Sequence, residues 1–144
     1  MIKQEVYFED VSVGMALPTM EKHPTTTQLF QFSAATWNPH RIHYDKDYAA
    51  VEGHPDVLVH GPLHGAFLAQ FVTNWMGPLG RLKKIAFSNR GRAFPGERLL
   101  LKGKVLKTYT DNGEHLVVCE IWEEKESGEV TAPGSAVVAL PTRT

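Results

Sequence analysis

Pro62-Leu-His-Gly-Ala-Phe-Leu-Ala-Gln-Phe-Val-Thr-Asn-Trp-Met76 decides the fold. Leu63, Ala66, Phe67, Leu68, Ala69, Phe71, Val72, Trp75 and Met76 place apolar side chains on nearly every face of a helix, and a helix that is hydrophobic all round is a buried one. Pro62 suits its first turn and Gly77-Pro78 stops it. Gly61 and Gly65 allow close backbone approach at its start, where unpaired amides point outward and partial negative charge is welcome.

Downstream the sequence reads as strands. Residues 85–87 form a short one, and 98–109 a longer one running from Arg98 to Tyr109. The Asp111-Asn-Gly113 turn leads into His115 to Glu124, and Ser127-Gly128 leads into Val130 to Leu140. Long antiparallel strands and one buried helix predict an α+β domain whose sheet wraps the helix. A single curved sheet leaves edges, and a side-by-side dimer is a natural cover for one.

Upstream, residues 5–8 (Glu-Val-Tyr-Phe) read as a strand and Val13-Gly14 as the turn after it. Thr25-Thr-Thr-Gln28 fits a capping box ahead of Leu29, Phe30 and Phe32. The helix it opens ends near Thr36, because Asn38-Pro39 opposes continuation. Asp47 to Ala50 adds a helical turn before the Gly53-His-Pro55 break. Between them lies the densest polar stretch of the chain: Thr36, Asn38, His40, Arg41, His43, Tyr44 and Asp45. So many polar groups beside apolar sequence suit a site that moves protons in an apolar pocket. Trp37 is expected to pack beneath that loop.

The 144 residues are most simply one domain spanning 1–144, without internal repeat or linker. Hydrophobic residues make up 42% and charged residues 22% of a chain of net charge −1, values ordinary for a soluble protein. The basic residues are scattered, which argues against nucleic acid as a partner. Cys119 stands alone, excluding an intrachain disulfide, and its neighbours Val117, Val118 and Ile121 point to a buried thiol. The Met1-Ile-Lys-Gln-Glu start carries no apolar leader, and no apolar run is long enough for a bilayer. The expectation is a cytoplasmic protein with no membrane partner.

These motifs together resemble the MaoC-like acyl-thioester hydratase/dehydratase family, which has the hotdog fold. Within it, Arg41-Ile-His-Tyr-Asp45 is most similar to the type 2 3-hydroxyacyl-thioester dehydratases and the mesaconyl-CoA hydratases. The likeness spans nearly the whole chain: the capped helix, the polar motif, Val59-His-Gly-Pro-Leu63, Phe94-Pro-Gly-Glu97 and the last strand ending at Pro141. In the family an aspartate precedes Asn-Pro and a histidine-X-aspartate follows. Here Asn38-Pro39 and His43-Tyr44-Asp45 match by type, His40 and Arg41 are extra, and Thr36 stands in the aspartate's place.

The resemblance implies hydration of a 2-enoyl thioester or the reverse dehydration, on an acyl-CoA or acyl-carrier-protein substrate, with no cofactor and no metal. That reaction needs a base at the β-carbon, a proton for the α-carbon and donors for the enolate oxygen. His43 is the expected base and acid. Asn38 or Thr36 orients the water, and Asp45 fixes the His43 tautomer or holds the loop. His40 and Arg41 either bind the thioester's phosphates or serve a solvated, structural role. Substrate binds at the helix start, His60, Gly61, Pro62, Leu63 and His64, whose backbone amides receive the enolate oxygen. In the family an acyl tunnel runs beside the helix and the pantetheine arm enters along a dimer interface, so a homodimer is expected, or a heterodimer with a related hotdog subunit.

Two other functions compete. A hotdog thioesterase needs a carboxylate or activated water aimed at the carbonyl carbon, and the buried helix carries no acidic residue near Gly65 to Gln70. A non-catalytic acyl-binding subunit, whose partner supplies the missing carboxylate, would account for Thr36. The His60/His64 spacing is not a zinc motif, since the glutamate is lacking and Gly61-Pro62 interrupts. Ser33 and Ser135 lie in no nucleophile elbow.

Overall fold

The computed structural model describes residues 4–144; Met1, Ile2 and Lys3, which open the stretch read above as lacking a leader, lie outside the described residues. Five strands, β1 (Ala16–Lys22), β2 (Arg81–Phe87), β3 (Leu99–Asp111), β4 (Glu114–Lys125) and β5 (Val130–Leu140), form one antiparallel sheet in the order β1-β3-β4-β5-β2. Three α-helices accompany it: α1 (Thr26–Ala35), α2 (Lys46–Val51) and α3 (Gly61–Met76). The sheet wraps α3, as the hotdog arrangement requires.

Helix α3 begins with Pro62 in its first turn and ends at Gly77, whose φ of 76° is a conformation glycine adopts without strain. Phe67, Leu68, Phe71 and Val72 are buried against Leu99, Leu101, Val105, Ile121 and Val138 of the sheet. The helix is not covered all round. Pro62, Ala66, Gln70 and Asn74, each four residues from the last, form one exposed stripe. In β3, Leu99, Leu101, Gly103 and Val105 point inward by the two-residue period of a strand. Its register with β4 then shifts between Val105 and Lys107, and such bulges bend a long strand around a core. Asn112 and Gly113, at φ 47° and 76°, make the two-residue hairpin turn that Asn-Gly favours. Cys119 is buried, and burial pushes its thiol up to about 12.

The amino-terminal expectation is corrected. Residues 5–7 form no strand, and Phe8–Asp10 make a 3₁₀ turn whose Phe8 amide donates to Pro141 O at 2.9 Å. The first strand is instead β1, after the Gly14 turn. Pro18 disguised it: proline is tolerated there because β1 is an edge strand with a bulge between Leu17 and Met20. Thr25 caps α1 by accepting the Gln28 amide at 3.1 Å, half of the expected capping box. Among the described residues no helix is long and apolar enough to cross a membrane.

Candidate active site

Three histidines converge at the start of α3. The chain leaves α1, turns at Asn38-Pro39 and enters a 3₁₀ turn, Arg41–His43, that buries the His43 ring. His43 Nδ1 lies 2.8 Å from Leu58 O, which can only accept, so Nδ1 carries the proton and Nε2 keeps the lone pair. The Leu58 amide donates back to Ile42 O at 3.0 Å, fixing the two segments together. His60 stacks on His43, with centroids 3.7 Å apart and planes 17° apart. His60 is fully buried, and its Nε2 lies 2.7 Å from Ser33 Oγ on α1.

One turn further along α3, His64 is also buried, with Nδ1 2.5 Å from Glu123 Oε1 on β4. Thr131 on β5 donates its hydroxyl to the same carboxylate oxygen at 2.6 Å and also contacts Glu123 O at 3.2 Å. Glu123 is fully buried, and its Oε2 has no hydrogen-bond partner among the described residues.

His43, Leu58, Gly61 and His64 line one cavity of about 540 Å³, whose other wall is Asn89–Arg92. The Leu63 and His64 amides already donate to His60 O, at 3.0 and 3.2 Å, and Pro62 has no N–H. The expected set of amide donors therefore narrows to Gly61. A Cβ on Gly61 would sit 2.5 Å from Asn89 Nδ2, so the asparagine amide lies directly over that glycine.

Burial keeps both stacked rings neutral. Desolvation is the main cause of each shift. It lowers His43, against the Leu58 bond and with help from His40 and His54, and it takes His60 down to about 4, with His43 and His64 adding repulsion. A neutral His43 with Nε2 free is a competent base. The same shifts set a stability prediction. An unfolded imidazole titrates near 6.5, so between about pH 6.5 and 4 the unfolded chain binds protons that folded His60 refuses. Stability is therefore lost as pH falls through that window. Urea unfolding at about pH 7 and about pH 4.5 should differ by roughly 1–3 kcal/mol, and equal midpoints would contradict the neutral stack.

Other expected site residues lie elsewhere. Thr36 caps α1, exposed, with its hydroxyl donating to Phe32 O at 2.6 Å. Asn38 is half-buried and does not line the cavity. Asp45 does not touch the His43 ring: it caps α2 through the Tyr48 amide at 3.1 Å and pairs with Arg41 at 2.6 Å. The tautomer role falls to Leu58 O, and Asp45 holds the loop, its carboxyl kept below the usual range by the Tyr48 amide and Arg41. His40 accepts the Ile42 amide at 3.3 Å, and Arg41 lies over the Tyr48 ring, so both serve the turn. Pro62 is exposed and Leu63 is core. Trp37 does not pack beneath the loop. At φ 51° its backbone turns left-handed and sends the ring out to 86% exposure, beside Phe30, Pro39 and Tyr44.

Sequence reasoning missed Glu123, Thr131, the Ser33–His60 contact and the Asn89–Arg92 wall. Among the described residues no group of three or more His, Cys, Asp or Glu side chains is arranged to hold a metal ion, the three histidines included.

Known proteins resemble this chain in sequence and fold. A family model described as hydroxyacyl-thioester dehydratase type 2 matches residues 14–95. Mesaconyl-C(4)-CoA hydratase of Chloroflexus aurantiacus is 52% identical over 48 residues, covering 33% of this chain and 17% of that protein. The 3-oxo-4,17-pregnadiene-20-carboxyl-CoA hydratase beta subunit of Mycobacterium tuberculosis is 29% identical over 73 residues, 51% of this chain and 57% of that one. The chain thus spans less than two thirds of either curated relative. Among solved structures, R-hydratase PhaJ1 from Pseudomonas aeruginosa superposes with a TM-score of 0.86 over 96% of this chain and 88% of that one, at 21% identity, a likeness of fold.

Proposed function

Because the chain belongs to the hydroxyacyl-thioester dehydratase type 2 family, we propose that it adds water to the double bond of a 2-enoyl thioester, or removes it from a 3-hydroxyacyl thioester. The observation that carries this reading is a neutral His43 sharing one cavity with Gly61 at the start of buried α3. In hydration, His43 Nε2 takes a proton from water as the oxygen bonds to the β-carbon. The π electrons move toward the thioester carbonyl, whose oxygen gains negative charge. The Gly61 amide and the positive end of α3 stabilise that charge. A proton then joins the α-carbon.

Arg90 and Arg92 line the cavity beside Gly91 and suit the phosphates of coenzyme A or of a carrier-protein arm. His40 and Arg41 are already engaged in their own turn and leave that task to them. The remaining assignments are likewise proposals: a domain spanning 1–144, a cytoplasmic location, and a dimer. The sheet ends in two edges, β1 and β2, which a second subunit would cover. A homodimer is the simplest arrangement. A relative named as a beta subunit and the outward-facing Thr36 favour a heterodimer as the second reading.

The test is spectrophotometric: the purified chain is given crotonyl-, mesaconyl- and longer enoyl-CoA esters. Loss of the conjugated absorption without release of free thiol is expected. Thiol release without hydration would make it a thioesterase, and inactivity restored only by a co-expressed partner would make it a binding subunit.

A further inference from the structure

The pocket has a second imidazole that the proposed mechanism leaves idle. His64 lines the same cavity as His43, three residues along α3 from Gly61, and residues three apart share a helix face. Its Nδ1 lies 2.5 Å from Glu123 Oε1, so Nδ1–H donates to the carboxylate and Nε2 is the atom left for the pocket. Glu123 is in turn held by the Thr131 hydroxyl at 2.6 Å. The two histidines thus sit in opposite surroundings. His43 has a neutral carbonyl partner and His64 a carboxylate, and pairs divided in this way separate into base and acid.

A purely structural pair is a poor explanation. Glu123 lies wholly inside the sheet, on the same inward face as Cys119 and Ile121, and one of its oxygens has no partner among the described residues. Burying such a pair costs more desolvation than an apolar pair of the same volume would. A group that handles protons accounts for it.

We infer that His64 is the acid that protonates the α-carbon, with Glu123 as its positioning residue, so that the enzyme uses two histidines, one at each carbon. This rests on the hydratase reading above. In hydration, the water oxygen bonds to the β-carbon while His43 Nε2 takes its proton. His64 enters the cycle as the imidazolium, protonated on both nitrogens, and the carbon–carbon π pair, spread onto the thioester oxygen as the water adds, takes the His64 Nε2 proton at the α-carbon. His43 ends protonated and His64 neutral beside Glu123. Exchange with solvent restores both, so atoms and charge balance over the cycle. Dehydration runs the same steps backwards, with His64 removing the α-proton and His43 protonating the departing hydroxyl.

The test is steady-state hydration by the full chain, using the enoyl-CoA ester that the wild type hydrates fastest. Four forms are compared: wild type, His64→Gln, Glu123→Gln and the double variant. His64→Gln is expected to lower kcat on the order of 10²-fold with KM within about threefold, as for loss of a positioned acid. Glu123→Gln, nearly the same shape without the charge, is expected to lower kcat about tenfold. The double variant should be no slower than His64→Gln, because Glu123 acts only through that ring. A merely structural pair would couple in the same way, so the readout that separates the two roles is a fall in kcat with KM and the thermal midpoint held. His64→Gln keeping kcat within about threefold of wild type, or losses that multiply, would overturn the inference. Should His64→Gln not fold, an unchanged kcat in Glu123→Gln overturns it alone. Active wild type with active variants defeats this inference and leaves the hydratase reading standing; a wild type inactive on every ester defeats both.

Discussion

Replacing His43 by alanine is expected to reduce hydration on the order of 10²-fold or more while the protein stays folded. The loss follows from geometry. His43 Nε2 is the free basic nitrogen of a ring whose other nitrogen is tied to Leu58 O at 2.8 Å, and the ring faces the cavity that Gly61 and His64 also line. His64 shares the cavity but is held by Glu123. His60 stacks on its face, but is fully buried and does not line the cavity. Thr36→Ala is the contrast. Its hydroxyl already donates to Phe32 O at 2.6 Å on the exposed side of α1, so activity should stay within about threefold. The His43→Ala fold is checked by its circular dichroism and thermal midpoint. Losing the Leu58 bond and the stack should cost only about 1–2 kcal/mol. A fully active His43→Ala variant would remove the residue-level support for the hydratase reading.

The parts of the molecule that were legible in the sequence share one property: local chemistry alone specifies them. Pro62 and Gly77 mark the ends of α3, and the run between them has too few polar residues for a surface helix. Asn112-Gly113 marks the β3–β4 hairpin because few other pairs accept two positive φ values. Strand β1 was hidden because Pro18 interrupts its pattern, and only the edge position seen in the sheet makes that proline acceptable. Within the site, His43 and Gly61 could be found from their motifs. The Ser33–His60 contact could not, since it joins α1 to a residue 27 positions away that lies just before α3.

Glu123 is a different kind of omission, because its signal was present. Cys119, Ile121 and Glu123 alternate along one strand, so the face that buries the first two must also bury the third. A carboxylate on an inward face is paired, protonated or functional, and asking which histidine could reach it would have led to α3. The thioesterase alternative ranks below the hydratase because the buried helix carries no carboxylate of its own. The structure supplies one beside that helix instead, from β4, which is why release of free thiol is measured alongside hydration.

The largest expected effect on stability comes from Phe71→Ala, about 3–5 kcal/mol. Phe71 is among the largest fully buried side chains, 2% exposed, and it projects from α3 onto β3. Gly103 explains how it fits. A Cβ at that position would lie 3.2 Å from Phe71 Cε1 and 2.9 Å from Glu120 O, so the glycine leaves the space that the ring occupies. Removing the ring opens a void between helix and strand that neither can close, because β3 is fixed on both sides by β1 and β4. Against a typical net stability of about 5–15 kcal/mol this is roughly a fifth or more of the total. For a domain of this size the thermal midpoint should fall by roughly 10–17 °C. Phe71→Leu, which keeps most of the volume, should cost much less. Phe30→Ala removes an identical ring from the exposed face of α1, where it is 61% accessible, and should shift the midpoint little. If Phe71→Ala and Phe30→Ala melt together, the sheet does not grip α3 as described. The placement of Gly61 and His64, carried on the same helix, would then lose its foundation.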